Sequence, residues 1–246
     1  MKFNFLGQHA ELIWYSQDIM TASLDVIYGR EILCRGFITS SQSPIAMTEL
    51  IHYLHNNRDL LLAMTCQQIK DTCSENPREQ DYNAKIWINI AGQLIAENDL
   101  FEHLYTDALC ALTIKQKQNL VLEICEDDIS DRVVIERLSF LKERGFIIAM
   151  DDFGSGHSNL LRLSNTHFDI IKLDLKLLAK VPDDLWATSF YREIVNVCLS
   201  TGSLIVAEGV ETQAQSDFVR WAGVDFIQGF LYSMPKPSVS LLTTNN

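Results

Sequence analysis

The chain has 246 residues, 47% of them apolar and 21% charged, with 20 Lys plus Arg against 32 Asp plus Glu. A chain of that length buries roughly 70–75% of its unfolded surface, so it needs no disulfide or structural metal to fold. Its apolar runs stop at five residues, far short of the roughly 20 that span a bilayer, and the N-terminus MKFNFLGQHAEL lacks a signal-peptide core. Membrane, disordered and collagen classes are excluded.

A net charge of −12 argues against duplex DNA or RNA, whose phosphates are held by cationic side chains. An acidic chain that acts on a small phosphate ester needs divalent metal to cancel the repulsion. The cysteines (Cys34, Cys66, Cys73, Cys110, Cys125 and Cys198) form no C-x-x-C pair and no zinc-like cluster. Most lie in apolar segments, where the thiol packs as a small hydrophobe, as expected of a reduced cytoplasmic protein.

Taken in chain order, two segments at 11–19 and 26–35 come first, too close together for a crossover helix. They are expected to form an antiparallel hairpin. Apolar runs that stop at polar residues then follow: Ile86-Trp87-Ile88-Asn89, Val121-Leu122-Glu123 and Phe146 to Asp152. Ile170-Ile171-Lys172, Leu204 to Glu208 and Phe226-Ile227-Gln228 complete the set. Continuous apolar runs of this length suit strands buried on both faces. Between them lie amphipathic helices. Residues 131–144 put Val134, Leu138 and Leu141 on one face before Gly145. Phe190, Ile194, Val197 and Cys198 mark a second core face before Gly202, and Ala214, Phe218, Trp221 and Ala222 a third before Gly223. The repeat of strand, helix, Gly, strand gives α/β architecture, and eight strands fit a TIM-like (β/α)8 barrel with an antiparallel first hairpin. One domain over 1–246 is expected. With about ten residues ahead of the first strand, no attached sensor or cyclase domain is expected.

Glu31, Asn89, Glu123, Asp151, Asp152, Lys172, Glu208 and Gln228 are read at strand C-termini, which in a barrel converge on the face where active sites are built. Singly, each could be a polar residue entering solvent. Converging carboxylates repel, however, and stay ionised only with positive charge among them. Oxygen ligands suit Mg²⁺ or Mn²⁺, and this many carboxylates leave room for two ions, the arrangement used for in-line attack on phosphodiesters.

These residues carry a resemblance. Glu31-Ile32-Leu33-Cys34-Arg35 resembles the E-A-L-L-R signature of the EAL-domain phosphodiesterases, which cleave cyclic di-GMP. Trp87-Ile88-Asn89-Ile90, Leu122-Glu123-Ile124-Cys125-Glu126 and Asp151-Asp152-Phe153-Gly154-Ser155-Gly156-His157-Ser158 continue it. Asp169-Ile170-Ile171-Lys172-Leu173-Asp174, Ala207-Glu208-Gly209-Val210-Glu211-Thr212 and Gln228-Gly229-Phe230-Leu231 follow in the same order. The resemblance implies a first ion on Glu31, Asn89, Glu123 and Asp151, with Asp151 bridging to a second on Asp152 and Glu208. It makes Lys172 the group that orients the attacking water, and Glu208 a base as well as a ligand. Arg35 is a candidate phosphate contact, Gln228 and Glu211 complete a polar floor, and Glu126 stabilises the loop carrying the double Asp. The product would be linear pGpG, and a homodimer formed near that loop is implied.

The departures from the family pattern are Ile32 for Ala, Gly36 for Trp, His157 for Tyr and Asn159 for Ser, and residues 46–51 replace an acidic segment. None removes a proposed ligand; they bear on how guanine is held. Two other readings compete. A non-catalytic receptor or adaptor would be favoured by loss of Glu31, Asp152, Lys172 or Glu208, all of which are present. An enolising barrel enzyme does not account for Asp151-Asp152-Phe153-Gly154 or Glu208-Gly209-Val210-Glu211. Asp152-Phe153-Gly154 lacks the partner motifs of a kinase, and Gly154-x-Gly156 lacks the third glycine and lysine of a phosphate loop. His52 and His55 read as a helix-surface pair, and Trp14 and Tyr15 as barrel packing.

Overall fold

The computed structural model describes residues 1–74, 84–125, 132–155, 163 and 166–238. Strands β1 (Lys2–Phe5), β2 (Gln8–Thr21) and β3 (Ile27–Ile38) are antiparallel neighbours. The hairpin of β2 and β3 is therefore as expected, while the first ten residues, read as a lead-in, already form β1 and the start of β2. Helices α1 (Met47–His55) and α2 (Arg58–Ser74) carry the chain back to β4 (Lys85–Ile90). Next come α3 (Gly92–Ala96), α4 (Asn98–Leu104), a π-helical turn (Tyr105–Leu109), α5 (Ile114–Asn119) and β5 (Leu120–Cys125). Then follow α6 (Arg132–Glu143), β6 (Ile147–Phe153), β7 (Ile170–Leu173), a 3₁₀ turn (Leu175–Leu178) and α7 (Leu185–Ser200). The chain ends with β8 (Leu204–Ala207), α8 (Gln213–Ala222), β9 (Phe226–Ile227) and β10 (Lys236–Pro237).

Strands β3 to β9 run parallel in sequence order, and β2 pairs antiparallel with both β3 and β9, which closes an eight-strand barrel. Closure is reinforced by Arg220 on α8, which reaches Asp25 and the Ala22 carbonyl in the hairpin turn. Outside the barrel, β10 pairs with β2 and ties the C-terminal segment across the seam.

The barrel interior is filled by Ile19, Trp87, Val121, Ala149, Ile170, Val206 and Phe226, one from each strand except β3. Opposite Ile19, β3 supplies Gly29 instead. A Cβ there would sit 2.4 Å from the Trp87 indole nitrogen and 2.8 Å from the Lys85 carbonyl, so the missing side chain makes room for the largest residue in the plug. The outward residues of the same strands, such as Ile88, Leu122, Ile148, Ile171 and Ile205, pack under the helices in the main core.

Helix α6 buries Val134, Leu138 and Leu141, the face its spacing predicts. In α7 and α8 the structure corrects the expected faces. Helix α7 buries Tyr191, Val195 and Cys198, leaving Phe190 and Val197 43% and 38% exposed. Helix α8 buries Ser216, Val219 and Ala222, with Trp221 67% exposed. Both helices are apolar on more than one side, so periodicity alone cannot choose which side meets the barrel. In α8 a polar link decides: the Ser216 hydroxyl meets Tyr232 and Arg220 beneath the helix.

Gly29→Ala is expected to cost about 1–3 kcal/mol, the scale of overpacking a filled core, read as a lower denaturant midpoint. Unchanged stability would mean that the Trp87 indole is free to move aside.

Candidate metal centre at the barrel mouth

Two residues nearer the mouth than each member of the plug, and than Gly29 on β3, a polar residue stands on the same face of its strand. The set is Gln17, Glu31, Asn89, Glu123, Asp151, Lys172, Glu208 and Gln228, one from each of the eight barrel strands or the residue just after it. The two-residue period of strands is the reason: whatever faces inward at one level faces inward again two residues on. Glu31 is not at the end of its strand, because β3 continues to Ile38. It lies instead where the parallel pairing with β4 stops, at Ile32 opposite Ile88. Gln17 escaped the sequence reading because it lies inside an antiparallel strand that runs the other way; a buried amide two residues before Ile19 was the available signal.

Asp151 and Asp152 need separate explanation, since successive strand residues should face opposite ways. In the β6–β7 ladder Met150 pairs with Ile171 and Phe153 with Leu173, so both aspartates oppose the single Lys172. That is a β-bulge, and Asp152 takes a left-handed backbone with φ +57°, a conformation Asp tolerates better than most residues. The bulge turns the second carboxylate back to the mouth. Ligand oxygens of Asp151, Asp152 and Glu208 consequently lie within 4.8 Å of one another.

Lys172 stands at the centre, 1% exposed, with its ammonium 2.8 Å from Glu208, 2.9 Å from Asp151, 3.0 Å from Glu123 and 3.8 Å from Glu31. Amide groups hold the Glu31 side: Asn89 donates to one oxygen at 2.8 Å and Gln228 to the other at 2.7 Å. Gln228 also donates to Gln17, which in turn donates to the Ser233 carbonyl.

One ammonium among four carboxylates leaves excess negative charge, and the acidities follow. Burial acts to depress Lys172, but the surrounding carboxylates hold it well above the ordinary lysine range. Burial and the neighbouring Glu31 and Asp151 push Glu123 well up against the pull of Lys172. Burial, with Asp151 and Glu31, lifts Glu208 to about 8, and Asp152 rises to about 6 through burial, Asp151 and Asp174. Burial also acts to raise Glu31, yet Lys172 and the donors from Gln228 and Asn89 outweigh it and leave this group lowered.

The donor set fits a divalent cation. Glu123 and Asp151 share the single ammonium of Lys172 with Glu31 and Glu208, and Oε2 of buried Glu123 has no hydrogen-bond partner, a costly state that a further cation relieves. Asp151, Asp152 and Glu208 form the tight cluster, Glu123 lies beside it against the Lys172 ammonium, and Asn89 reaches the ring through Glu31. Arg35 lies four residues beyond Glu31 on β3, and its guanidinium meets the Cys34 carbonyl and lies 5.7 Å over the Tyr15 ring. Glu211, expected in the polar floor, is exposed on the loop before α8, while Gln228 is buried in the ring. Glu126, His157 and Asn159 lie outside the described residues. Trp14 packs in the core and donates to Asp71 at 2.8 Å, but Tyr15 shares the strand face of Gln17 and so belongs to the mouth. His52 and His55 are exposed on α1, as expected. Asp174, which faces Asp152 and caps the 3₁₀ turn through the Lys176 amide at 2.7 Å, was not singled out by the sequence reading.

A barrel whose strands all end in polar side chains converging on one mouth defines a (β/α)8 fold with its site at the strand C-termini. The chain belongs to the EAL domain family, whose family model matches residues 5–235. It is 36% identical over 243 residues to the probable cyclic di-GMP phosphodiesterase PdeG of Escherichia coli K12, covering 95% of this chain and 46% of that protein. It is 31% identical over 227 residues to the cyclic di-GMP phosphodiesterase PdeL of the same organism, covering 90% and 61%. The chain thus spans about half the length of the curated relatives it matches. Among solved structures, the PaMucR phosphodiesterase in complex with c-di-GMP superposes with a TM-score of 0.78 at 25% identity, covering 94% of this chain and 99% of that one. No helix among the described residues is long and apolar enough to cross a membrane.

Glu208 holds its proton more tightly in the folded chain, at about 8, than at its ordinary 4.5. In chelator its contribution to stability is therefore full below pH 4.5 and lost as pH rises through about 8. Cations compete with that proton, so the rise in melting temperature on adding Mn²⁺ is expected to grow across this window. A rise that is the same at both ends would contradict the assignment.

Proposed function

We propose that this chain hydrolyses cyclic di-GMP to linear pGpG with two divalent ions, Mg²⁺ or Mn²⁺. The observation that carries the reading is the convergence of Asp151, Asp152 and Glu208 to within 4.8 Å beside a buried Glu123 whose Oε2 lacks a hydrogen-bond partner. The likeness to PdeG and PdeL supplies the substrate class. Glu31, Asn89, Glu123 and Asp151 would hold the first ion, and Asp151, Asp152 and Glu208 the second. Bound there, the ions would lower the pKa of water and offset the charge developing on the phosphate.

The chain's own groups supply the rest. Attack of water on phosphorus forms one P–O bond and breaks another, opening one phosphodiester of the ring and leaving a hydroxyl on the departing ribose. Lys172 is fixed by its carboxylates and directs its N–H donors to the attacking oxygen. Glu208, ionised once a cation displaces its proton, stands beside Lys172 at 2.8 Å and would take up the proton released from the attacking water. Gln228 and Asn89 clamp Glu31 in a single orientation, Arg35 on the extended hairpin meets a substrate phosphate, and Glu126 and Glu211 support the loops. The receptor reading finds no support in a site where Glu31, Asp152, Lys172 and Glu208 all converge. The reading includes a single cytoplasmic domain and a homodimer, for which the exposed stacked pair Trp186 and Phe190, 5.2 Å apart on α7, offers an apolar surface.

Purified protein incubated with cyclic di-GMP and Mg²⁺ or Mn²⁺ is expected to yield pGpG. Chelator should abolish the reaction and added metal restore it, and full activity in metal-free protein would sink the two-ion reading. Lys172→Met separates two roles. If the ammonium only offsets charge, bound metal can replace it and turnover stays near normal. If it directs the attacking water, the folded, metal-loaded variant should lose roughly 10²-fold or more in turnover, the scale of one preorganised contact.

A further inference from the structure

We propose that Leu177 is a positioning residue for the barrel mouth: from the 3₁₀ turn that follows β7, it holds the loop carrying Asp152 in place against Glu208. The inference rests on the reading of the polar ring as a cation centre and names a residue that sets the approach of two of its ligands without touching the ion.

Asp152 lies on β6 and Glu208 follows β8, with β7 between those strands. Neighbouring strands stand about 4.7–4.9 Å apart, so the two backbones are separated by about 10 Å. Their ligand oxygens nevertheless lie within 4.8 Å of each other. The two side chains meet across the end of β7, where the chain passes directly into the 3₁₀ turn. Backbone bonds tie that end to both sides. The Asp174 amide donates to the Phe153 carbonyl at 3.0 Å, and the Glu208 amide donates to the Leu173 carbonyl at 3.2 Å.

Beyond β7, the turn wedges between the residues that follow each ligand. Gly154 has φ +95° and Gly209 has φ +66°, so both loops leave their strands through a left-handed glycine. A Cβ on Gly154 would lie 2.6 Å from Leu177 Cδ1, and one on Gly209 would lie 2.3 Å from Leu175 Cβ. Between the two leucines, Lys176 donates to the Ser155 carbonyl at 3.2 Å. Leu178, 1% exposed, anchors the turn in the core. Glycine is the most permissive backbone, so these loops rest where their neighbours hold them. On the Glu208 side the neighbour is the Cβ of Leu175, which any residue but glycine would supply. On the Asp152 side it is the branched end of Leu177, which only a long apolar side chain supplies. Groups that orient metal ligands from outside tune affinity without contacting the ion.

The test is Mn²⁺ titration of the full chain, followed by electron paramagnetic resonance. Asp152→Asn first identifies the ion that depends on that carboxylate. Leu177→Ala should weaken the same ion by about tenfold or more, and Leu177→Met, which keeps a long side chain on Gly154, should bind it as the wild type does. Val134→Ala, which opens the buried face of α6 away from the mouth, should lower the melting temperature with Mn²⁺ affinity unchanged. Unchanged affinity in Leu177→Ala, or an equal loss in Leu177→Met or Val134→Ala, would each overturn the positioning role. No ion lost in Asp152→Asn would overturn both this role and the cation centre. One bound Mn²⁺ in the wild type in place of two rejects only the two-ion reading, because Leu177 is still judged on the ion that Asp152→Asn removes. Weakening by Leu177→Ala in a protein that yields no pGpG rejects only the phosphodiesterase.

Discussion

The ammonium of Lys172 is the group around which the site is built. It lies inside a barrel, 1% exposed, and makes ion pairs with four carboxylates. Taking charges out of water costs several kcal/mol for each ion unless partners compensate. Lys172 compensates only one negative charge, and the surplus appears as raised pKa values at Glu123, Asp152 and Glu208. The ring is thus under electrostatic tension until protons or cations complete it.

The rest of the fold sets where that tension can be relieved. Below the ring, the plug of Ile19, Trp87, Val121, Ala149, Ile170, Val206 and Phe226 shuts out water, so solvent and ions reach the charges only from the mouth. Burial grades accordingly: Glu31, Glu123 and Lys172 are closed in, while Asp151, Asp152 and Glu208 are partly open. The bulge at Asp151 and Asp152 adds the second aspartate to the open side, at the expense of a left-handed backbone at a non-glycine residue. Strain of this kind persists where the surroundings enforce it. Here Asp174 bonds across to the Phe153 carbonyl at 3.0 Å and locks the turn from the far side.

Membership of the EAL family accounts for the ring as a whole, since the matched region, residues 5–235, contains every member of it. The half-length coverage of the curated relatives shows that the matching portion is the barrel. The amide relay from Ser233 through Gln17 and Gln228 to Glu31 links the C-terminal segment to a buried carboxylate of the ring. The seam strand β2 therefore both closes the barrel and orients part of the site.

Seven of the eight polar ring positions were legible in the sequence, because an apolar run that stops at a carboxylate, amide or lysine is a local signal. The parallel barrel and the antiparallel first hairpin were legible for a similar reason, from strand–helix alternation and from the short spacing between the first two segments. Gln17 was not, since its strand runs against the others and its neighbours Ser16 and Asp18 are polar as well. Nor were the inward faces of α7 and α8, where apolar residues on several sides leave the choice to packing. The bulge that brings Asp152 beside Asp151 and Glu208 has no local signature either. It exists because β6 and β7 pair with unequal residue counts around Lys172, and only the closed sheet fixes that register. The sequence by itself determined which groups the mouth would hold; tertiary structure decided which of them meet, because the separations that govern charge and coordination are set between strands rather than along them.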